Sequence, residues 1–329
     1  MGGPPGGGPD MSAPDASGHL PANGVTLAYD CFGDAAAETI LLIAGLGTQM
    51  IRWTEAFCRA LAERGFRVVR FDNRDSGRST AFTAHGATDF AALSAALAEG
   101  RRPDLAYTLA DMAQDAVGLL DALSVRRAHV VGRSMGGMIA QILASEHPAR
   151  VGSLTAIMSS TGNPGLPPAA PDAMALMMRP APDPSLDEAG FVAQAVAVAR
   201  RLAGRSDPLD EAAYRALIRA ELRRGYVPGG FGRQLAALVL AGDRRARLAA
   251  IRAPTLVVHG TEDPLFPLAC GQDIADSIPG AAWLPIQGMG HDLPPSLHGP
   301  IAEAIARTAR RATPSVPGEQ PAIDPGRGA

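Results

Sequence analysis

Residues 128–137, AHVVGRSMGG, are the stretch on which the reading of this chain turns. Residues 128–131 form a short apolar, β-rich run. Gly132-Arg133-Ser134-Met135-Gly136, with Gly137 following, leads from it into a helical pattern over Met135–Glu146 that Pro148 closes. A serine on a tight strand-to-helix turn, flanked by glycines that let strand and helix approach, is a nucleophile elbow. Its hydroxyl stands exposed above the carboxyl ends of the strands. The backbone N–H of Met135 then points to where an oxyanion forms, aided by the positive end of the helix dipole. Ser134 is therefore the candidate nucleophile.

Outward from the elbow, short apolar runs alternate with longer helical patterns. Val25–Phe32, Thr39–Ile43 and 66–71 read as strands before it, and 151–158, 254–259 and 281–286 as strands after it, with a last helix over 300–311. Such alternation predicts an α/β fold, a mostly parallel sheet flanked by helices. Between 160 and 252 the rhythm breaks into proline-rich turns and amphipathic helices, clearest over 191–202 and 210–224. An inserted helical cap is the economical reading. The competing one is a second independent domain, and the return of strands of the same character at Pro254 favours insertion. The Gly/Pro-rich ends, 1–19 and 313–329, have little to bury and are expected to be disordered tails, with Met11 a candidate native start. The core is then 20–159 with 253–312, and the cap 160–252.

A serine nucleophile needs a base and a group to orient that base, each in a loop after a later strand and in the order acid, then histidine. Asp263 lies in His259-Gly260-Thr261-Glu262-Asp263-Pro264, directly after one predicted strand. His291 lies in Gly288-Met289-Gly290-His291-Asp292, directly after the next, 28 residues on. Glu262 is the competing orienter, but the Asp before Pro-Leu-Phe-Pro is preferred; 158–164 offers no carboxylate. Asp292 is assigned to capping the following turn. The remaining histidines, His19, His85, His129, His147, His259 and His298, are read as structural. The second oxyanion donor is expected from Ala44-Gly45-Leu46-Gly47, after the strand ending at Ile43, through the N–H of Leu46. Trp53 reads equally as core or as pocket wall. Met174, Met177, Met178, Phe191, Leu238 and Phe266 are candidates for an apolar substrate pocket, against ordinary packing.

Together these residues resemble the α/β-hydrolase superfamily over about residues 20–311. Asp72–Thr80 (DNRDSGRST), the elbow, Gly288-Met289-Gly290-His291 and Ser296-Leu297-His298-Gly299-Pro300 resemble, more narrowly, the aclacinomycin methylesterase group and related bacterial carboxylesterases. The resemblance implies the α/β-hydrolase fold with its inserted helical cap, and a serine esterase needing no cofactor or metal and acting on a small-molecule ester. In it Ser134 is nucleophile, His291 base and Asp263 orienter, with Leu46 and Met135 as the oxyanion hole. A His often precedes this Gly45 position in such enzymes and here it is Ala44; the donor is backbone, so the departure leaves it in place. A lactonase, a carbon–carbon bond hydrolase or a haloperoxidase-type perhydrolase would use the same triad. A non-catalytic receptor of this fold would show a damaged one. Dehalogenases and epoxide hydrolases carry an Asp where Ser134 stands.

Composition bounds the rest. The 329 residues carry 30 basic and 33 acidic side chains, net −3, which calls for no polyanionic partner and no nucleic acid. All of the basic residues are Arg, so Schiff-base chemistry, a Ser-Lys dyad and a P-loop lysine are excluded. Cys31, Cys58 and Cys270 are scattered, with no spacing for a disulfide framework or zinc site. Runs such as Thr39–Ile43 are too short to span a bilayer and no secretory leader is legible, so a cytoplasmic location is expected. Monomer and homodimer both remain open.

Overall fold

The structure, a computed structural model, describes residues 13–205 and 207–312. One sheet holds eight strands: β1 (Ala16–Ala22), β2 (Val25–Phe32), β3 (Thr39–Ile43), β4 (Arg67–Phe71), β5 (Ala128–Arg133), β6 (Val151–Ile157), β7 (Thr255–Gly260) and β8 (Ala282–Ile286). Their spatial order is β1-β2-β4-β3-β5-β6-β7-β8. The β1–β2 and β2–β4 pairs are antiparallel and every later pair is parallel. β3, β6 and β7 are buried at every position, as strands covered on both faces are, and are apolar except for Thr39, Ser153, Thr155, Thr255 and His259. Pro21 and Pro285 sit in β1 and β8, the two sheet edges, where a missing N–H interrupts no ladder.

Before β6 the chain forms α1 (Glu55–Ala62), α2 (Phe90–Ala98), α3 (Leu109–Ala122) and α4 (Met135–Glu146). Between β6 and β7 it forms α5 (Pro171–Met178), α6 (Glu188–Leu202), α7 (Glu211–Arg224), α8 (Gly230–Leu240) and the short α9 (Arg245–Leu248). After β7 come α10 (Leu268–Ser277) and α11 (Pro295–Arg310). Alternate strand residues feed two cores. Leu41, Ile43 and Val130 pack with α3, α4 and α10 on one face. Ile40, Leu42 and Val131 pack with α1 and α11 on the other. Val192, Val196 and Ile218 make a small cluster of the inserted helices' own, whereas Ala237, Leu248 and Ile251 join the first core. The end of the insertion is thus docked on the sheet rather than set apart from it.

Two expectations need correcting. The disordered N-terminal tail, placed at 1–19, overshoots: Ala16–His19 lie in β1, paired with Cys31–Ala28 of β2. That strand exists for its backbone ladder and buries only Ala22, so no apolar run announces it. The final helix starts at Pro295, not at Pro300, which the second turn accommodates. Residues 1–12 and the C-terminal stretch 313–329, also read as tails, lie outside the described residues.

Candidate active site

The elbow is the meeting point of β5 and α4. Ser134 takes φ 54° and ψ −124°, a conformation that costs a non-glycine residue about 1–3 kcal/mol and needs outside support. Ser134 N–H donates to Ile157 O at 2.9 Å on β6, and Ser159 Oγ donates to Ser134 O at 2.9 Å. The glycines serve close approach. A Cβ on Gly132 would lie 2.1 Å from Gly136 O, and one on Gly136 would lie 2.2 Å from Ile43 O of β3. Only hydrogen at both positions lets α4 begin this close to the sheet.

The structure brings Ser134, His291 and Asp263 together at the carboxyl ends of β5, β8 and β7. Ser134 Oγ is 3.0 Å from His291 Nε2, and His291 Nδ1 is 2.7 Å from Asp263 Oδ2. With Asp263 as acceptor, the ring carries its proton on Nδ1 and leaves Nε2 free to accept from the hydroxyl. Asp263 Oδ1 accepts from the backbone N–H of Leu265 at 2.8 Å and of Phe266 at 2.9 Å. Burial alone would raise this carboxyl, but attraction to and hydrogen bonding with His291 hold it below its ordinary value. Phe266 meets the His291 ring edge-on, centroids 5.6 Å apart. His291 N–H donates to Leu202 O at the end of α6, at 2.8 Å, so the inserted helices also hold this loop. Glu262 turns outward instead, to the exposed Arg205. His259, read as structural, lies close by: it is fully buried, donates through Nε2 to Phe266 O at 2.6 Å and thereby braces the acid's loop.

Residues Gly45–Thr48 form a tight turn against the elbow. A Cβ at Gly45 would lie 3.3 Å from Ser134 Cβ and 3.8 Å from its Oγ. Among the described residues the Leu46 N–H donates no hydrogen bond. The Met135 N–H, at the first position of α4, has no partner within its helix. Two unclaimed donors thus flank Ser134. The Asp72–Thr80 loop braces the turn: Asn73 Nδ2 donates to Ala44 O at 3.1 Å, and the fully buried Asp72 accepts from Met50 N–H at 2.7 Å. Arg74 forms a two-pronged pair with Asp115, both contacts 2.6 Å. Sequence reasoning missed Gln234 of α8, whose amide bonds Gly47 N–H and Arg74 O.

The pocket candidates scatter. Trp53 has no exposed surface and stacks on Phe57 in the second core, so it is core and not wall. Phe191 packs in the insertion's own cluster, edge-on to Tyr226. Leu46, Leu238 and Phe266 are partly exposed at the margin of the core that contains Met135. Met174 and Met178 are exposed on α5, with Met177 half-buried beside them. Asp292 does not cap α11, whose N-cap is Pro294, and burial raises its carboxyl. Arg133 lies over Trp53, and burial with repulsion from Arg52 pulls its guanidinium down to about 10. Among the described residues no three His, Cys, Asp or Glu side chains gather to hold a metal ion, and no helix is long and apolar enough to cross a membrane.

A serine, a histidine and a buried aspartate stand in hydrogen-bonded series on an elbow above a mostly parallel sheet, the arrangement that triad hydrolases share. The model of the alpha/beta hydrolase fold family matches residues 38–294, and the chain belongs to that family. It is 34% identical over 312 residues to rhodomycin D methylesterase DauP of Streptomyces sp. (strain C5), covering 88% of this chain and 96% of that one. It is 32% identical over 280 residues to the putative carbamate hydrolase RutD of Variovorax paradoxus (strain S110), covering 81% and 90%. Among solved structures, a hydrolase from Pseudomonas aeruginosa PA01 superposes with a TM-score of 0.60 at 29% identity, covering 89% of this chain and 97% of that chain.

Proposed function

We propose that this hydrolase cleaves carboxylic esters of hydrophobic small molecules through an acyl-enzyme on Ser134, with no cofactor. The observation that carries the reading is the unbroken series Ser134–His291–Asp263, at 3.0 Å and 2.7 Å. His291 Nε2 takes the Ser134 proton as Oγ adds to the ester carbonyl. The carbonyl oxygen becomes the oxyanion, held by the N–H groups of Leu46 and Met135. The C–O bond to the alcohol breaks, and His291 returns the proton to the departing oxygen. Water then adds to the acyl carbon by the same route, giving the acid and free Ser134. Asp263 keeps His291 in the right tautomer and stabilises its protonated form. Residues 160–252 act as the cap over a core of 20–159 and 253–312, and Leu238 and Phe266, partly exposed at the margin of the core that holds Met135, supply an apolar lining. The methylesterase name of one relative supports an ester. The carbamate hydrolase name of another supports a second reading, in which Ser134 attacks a carbamate, the alcohol leaves, and water hydrolyses the resulting carbamoyl-enzyme.

Ser134→Ala is expected to lower turnover of p-nitrophenyl esters by about 10⁴ or more and to abolish labelling by a fluorophosphonate probe. A variant that keeps most of its activity refutes the assignment. Paired ester and carbamate substrates on the wild-type enzyme separate the two readings.

A further inference from the structure

The turn that offers Leu46 N–H is poorly secured from within. Thr48 N–H reaches Gly45 O at 3.3 Å and Thr48 Oγ1 reaches the same oxygen at 3.0 Å. Gly47 has φ +64°, and positive φ at the third residue of a turn is the type II pattern, which calls for glycine there. The central peptide of the turn joins Leu46 to Gly47. Its N–H, on Gly47, donates to Gln234 Oε1 at 2.7 Å.

Gln234 belongs to α8, in the inserted helices, and has no exposed surface. Its other amide atom is also committed, Nε2 donating to Arg74 O at 2.8 Å. Arg74 is itself fixed by Asp115, and its neighbour Asn73 holds Ala44 O, just before the turn. The Ala44–Gly47 strip is thus gripped at one end by the core through Asn73 and at the other by the insertion through Gln234. A side chain that donates with one atom and accepts with the other can do this in only one orientation, so it selects one orientation of the peptide it holds.

We propose that Gln234 is a positioning residue for the oxyanion hole: by holding the Gly47 N–H, docked α8 fixes where the turn sits against the elbow, and so places the Leu46 N–H, carried by the preceding peptide, opposite the reacting carbonyl oxygen. This rests on the reading of Leu46 as an oxyanion donor. The inserted helices then do more than cover substrate. The donor set is complete only when α8 is seated, which ties transition-state stabilisation to the state of the cap.

The test compares Gln234→Met, Gln234→Asn and Gln234→Glu with wild type. Steady-state kinetics on a p-nitrophenyl ester, the inhibition constant of phenylboronic acid and the melting temperature are measured for each. Met keeps the volume and loses both bonds; Asn is too short to span both partners; Glu keeps the acceptor for Gly47. Deleting an oxyanion donor outright costs about 10²–10³ in kcat, so displacing one is expected to cost about 10–100-fold. The Met and Asn variants should lose about that much kcat with KM within about threefold, and bind the boronate more weakly by a similar factor. Glu, which sets an acceptor against Arg74 O and buries a charge beside the oxyanion, should lose at least as much. If Met folds poorly, Asn carries the comparison. A lower melting temperature with unchanged kcat and boronate affinity overturns the proposal, because the amide would then only support the fold. A crystal structure of the wild-type boronate adduct separates the two possible failures. If the adduct oxygen lies away from Leu46 N–H, the donor reading itself falls and this inference with it. If the oxygen lies on it and the variants behave as wild type, only the role of Gln234 is lost.

Discussion

Asp263 and Glu262 are neighbours in sequence with opposite surroundings. The Asp263 carboxylate has no exposed surface and accepts from two backbone N–H groups and His291. Glu262 pairs with Arg205, whose side chain is 89% exposed, and an ion pair so open to solvent contributes little. Asp263→Asn is therefore expected to reduce kcat by about 10⁴, the loss seen when an orienting aspartate becomes an amide that favours the wrong tautomer. Glu262→Gln should stay within about twofold of wild type. Steady-state kinetics of the pair checks this, and comparable losses from both would mean that the orienter is misassigned. At this scale, what was legible in the sequence was whatever directly follows a strand: Ser134, Asp263, His291 and Leu46 each stand at the end of an apolar run. Gln234 was not legible. An amide has no chemistry of its own to announce, and Gln234 acquires its role from a partner 187 residues away.

Among the elements, the elbow sets two effects of glycine against each other. Replacing Gly136 by Ala inside α4 gains up to about 1 kcal/mol of helix propensity. The added Cβ would stand 2.2 Å from Ile43 O and 2.7 Å from Ala44 O, both backbone atoms that cannot rotate away. Overpacking of that kind costs about 1–3 kcal/mol or more, so the clash outweighs the propensity. Gly136→Ala is expected to lower the melting temperature by several degrees and, by displacing Ala44 toward the turn, to lower kcat as well. A calorimetric scan showing an unchanged or higher melting temperature would contradict the geometry. The same contrast explains which elements could be read. β3, β6 and β7 are buried along their whole length and stand out as apolar runs. β1 owes its form to the β2 ladder rather than to its side chains, and so passed for tail. α3 went unassigned although its start carries a local signal, the reciprocal bonds between Thr108 and Asp111 that form a capping box.

Over the whole molecule, the absence of lysine becomes a structural property. Arg74–Asp115, Arg233–Asp75, Arg70–Asp30 and Arg52–Glu221 are enclosed pairs made through two guanidinium nitrogens, a geometry that an ammonium cannot supply. The acid sensitivity of the fold near neutrality falls to its buried histidines. His298 is enclosed in α11, edge-on to Phe57, and donates through Nε2 to Leu293 O at 3.3 Å. Burial lowers its pKa below the ordinary 6.5, although the Leu293 carbonyl works the other way. Between that lowered value and about 6.5 the unfolded chain binds a proton at this position and the folded chain does not. Stability therefore rises with pH across the window and is lost as pH falls from about 6.5 toward the folded value. Buried carboxyls with raised pKa, Asp72, Asp115 and Asp292, act in the opposite sense and blur the total, so the expectation is placed on a difference. His298→Gln is expected to be less stable than wild type at pH 7.5 because it disturbs the packing on Phe57. The gap in melting temperature between the two should narrow as the pH is taken down to 5.5, since only the wild type has this proton to take up on unfolding. A gap that stays constant, or widens, would show that His298 carries its proton in the folded protein.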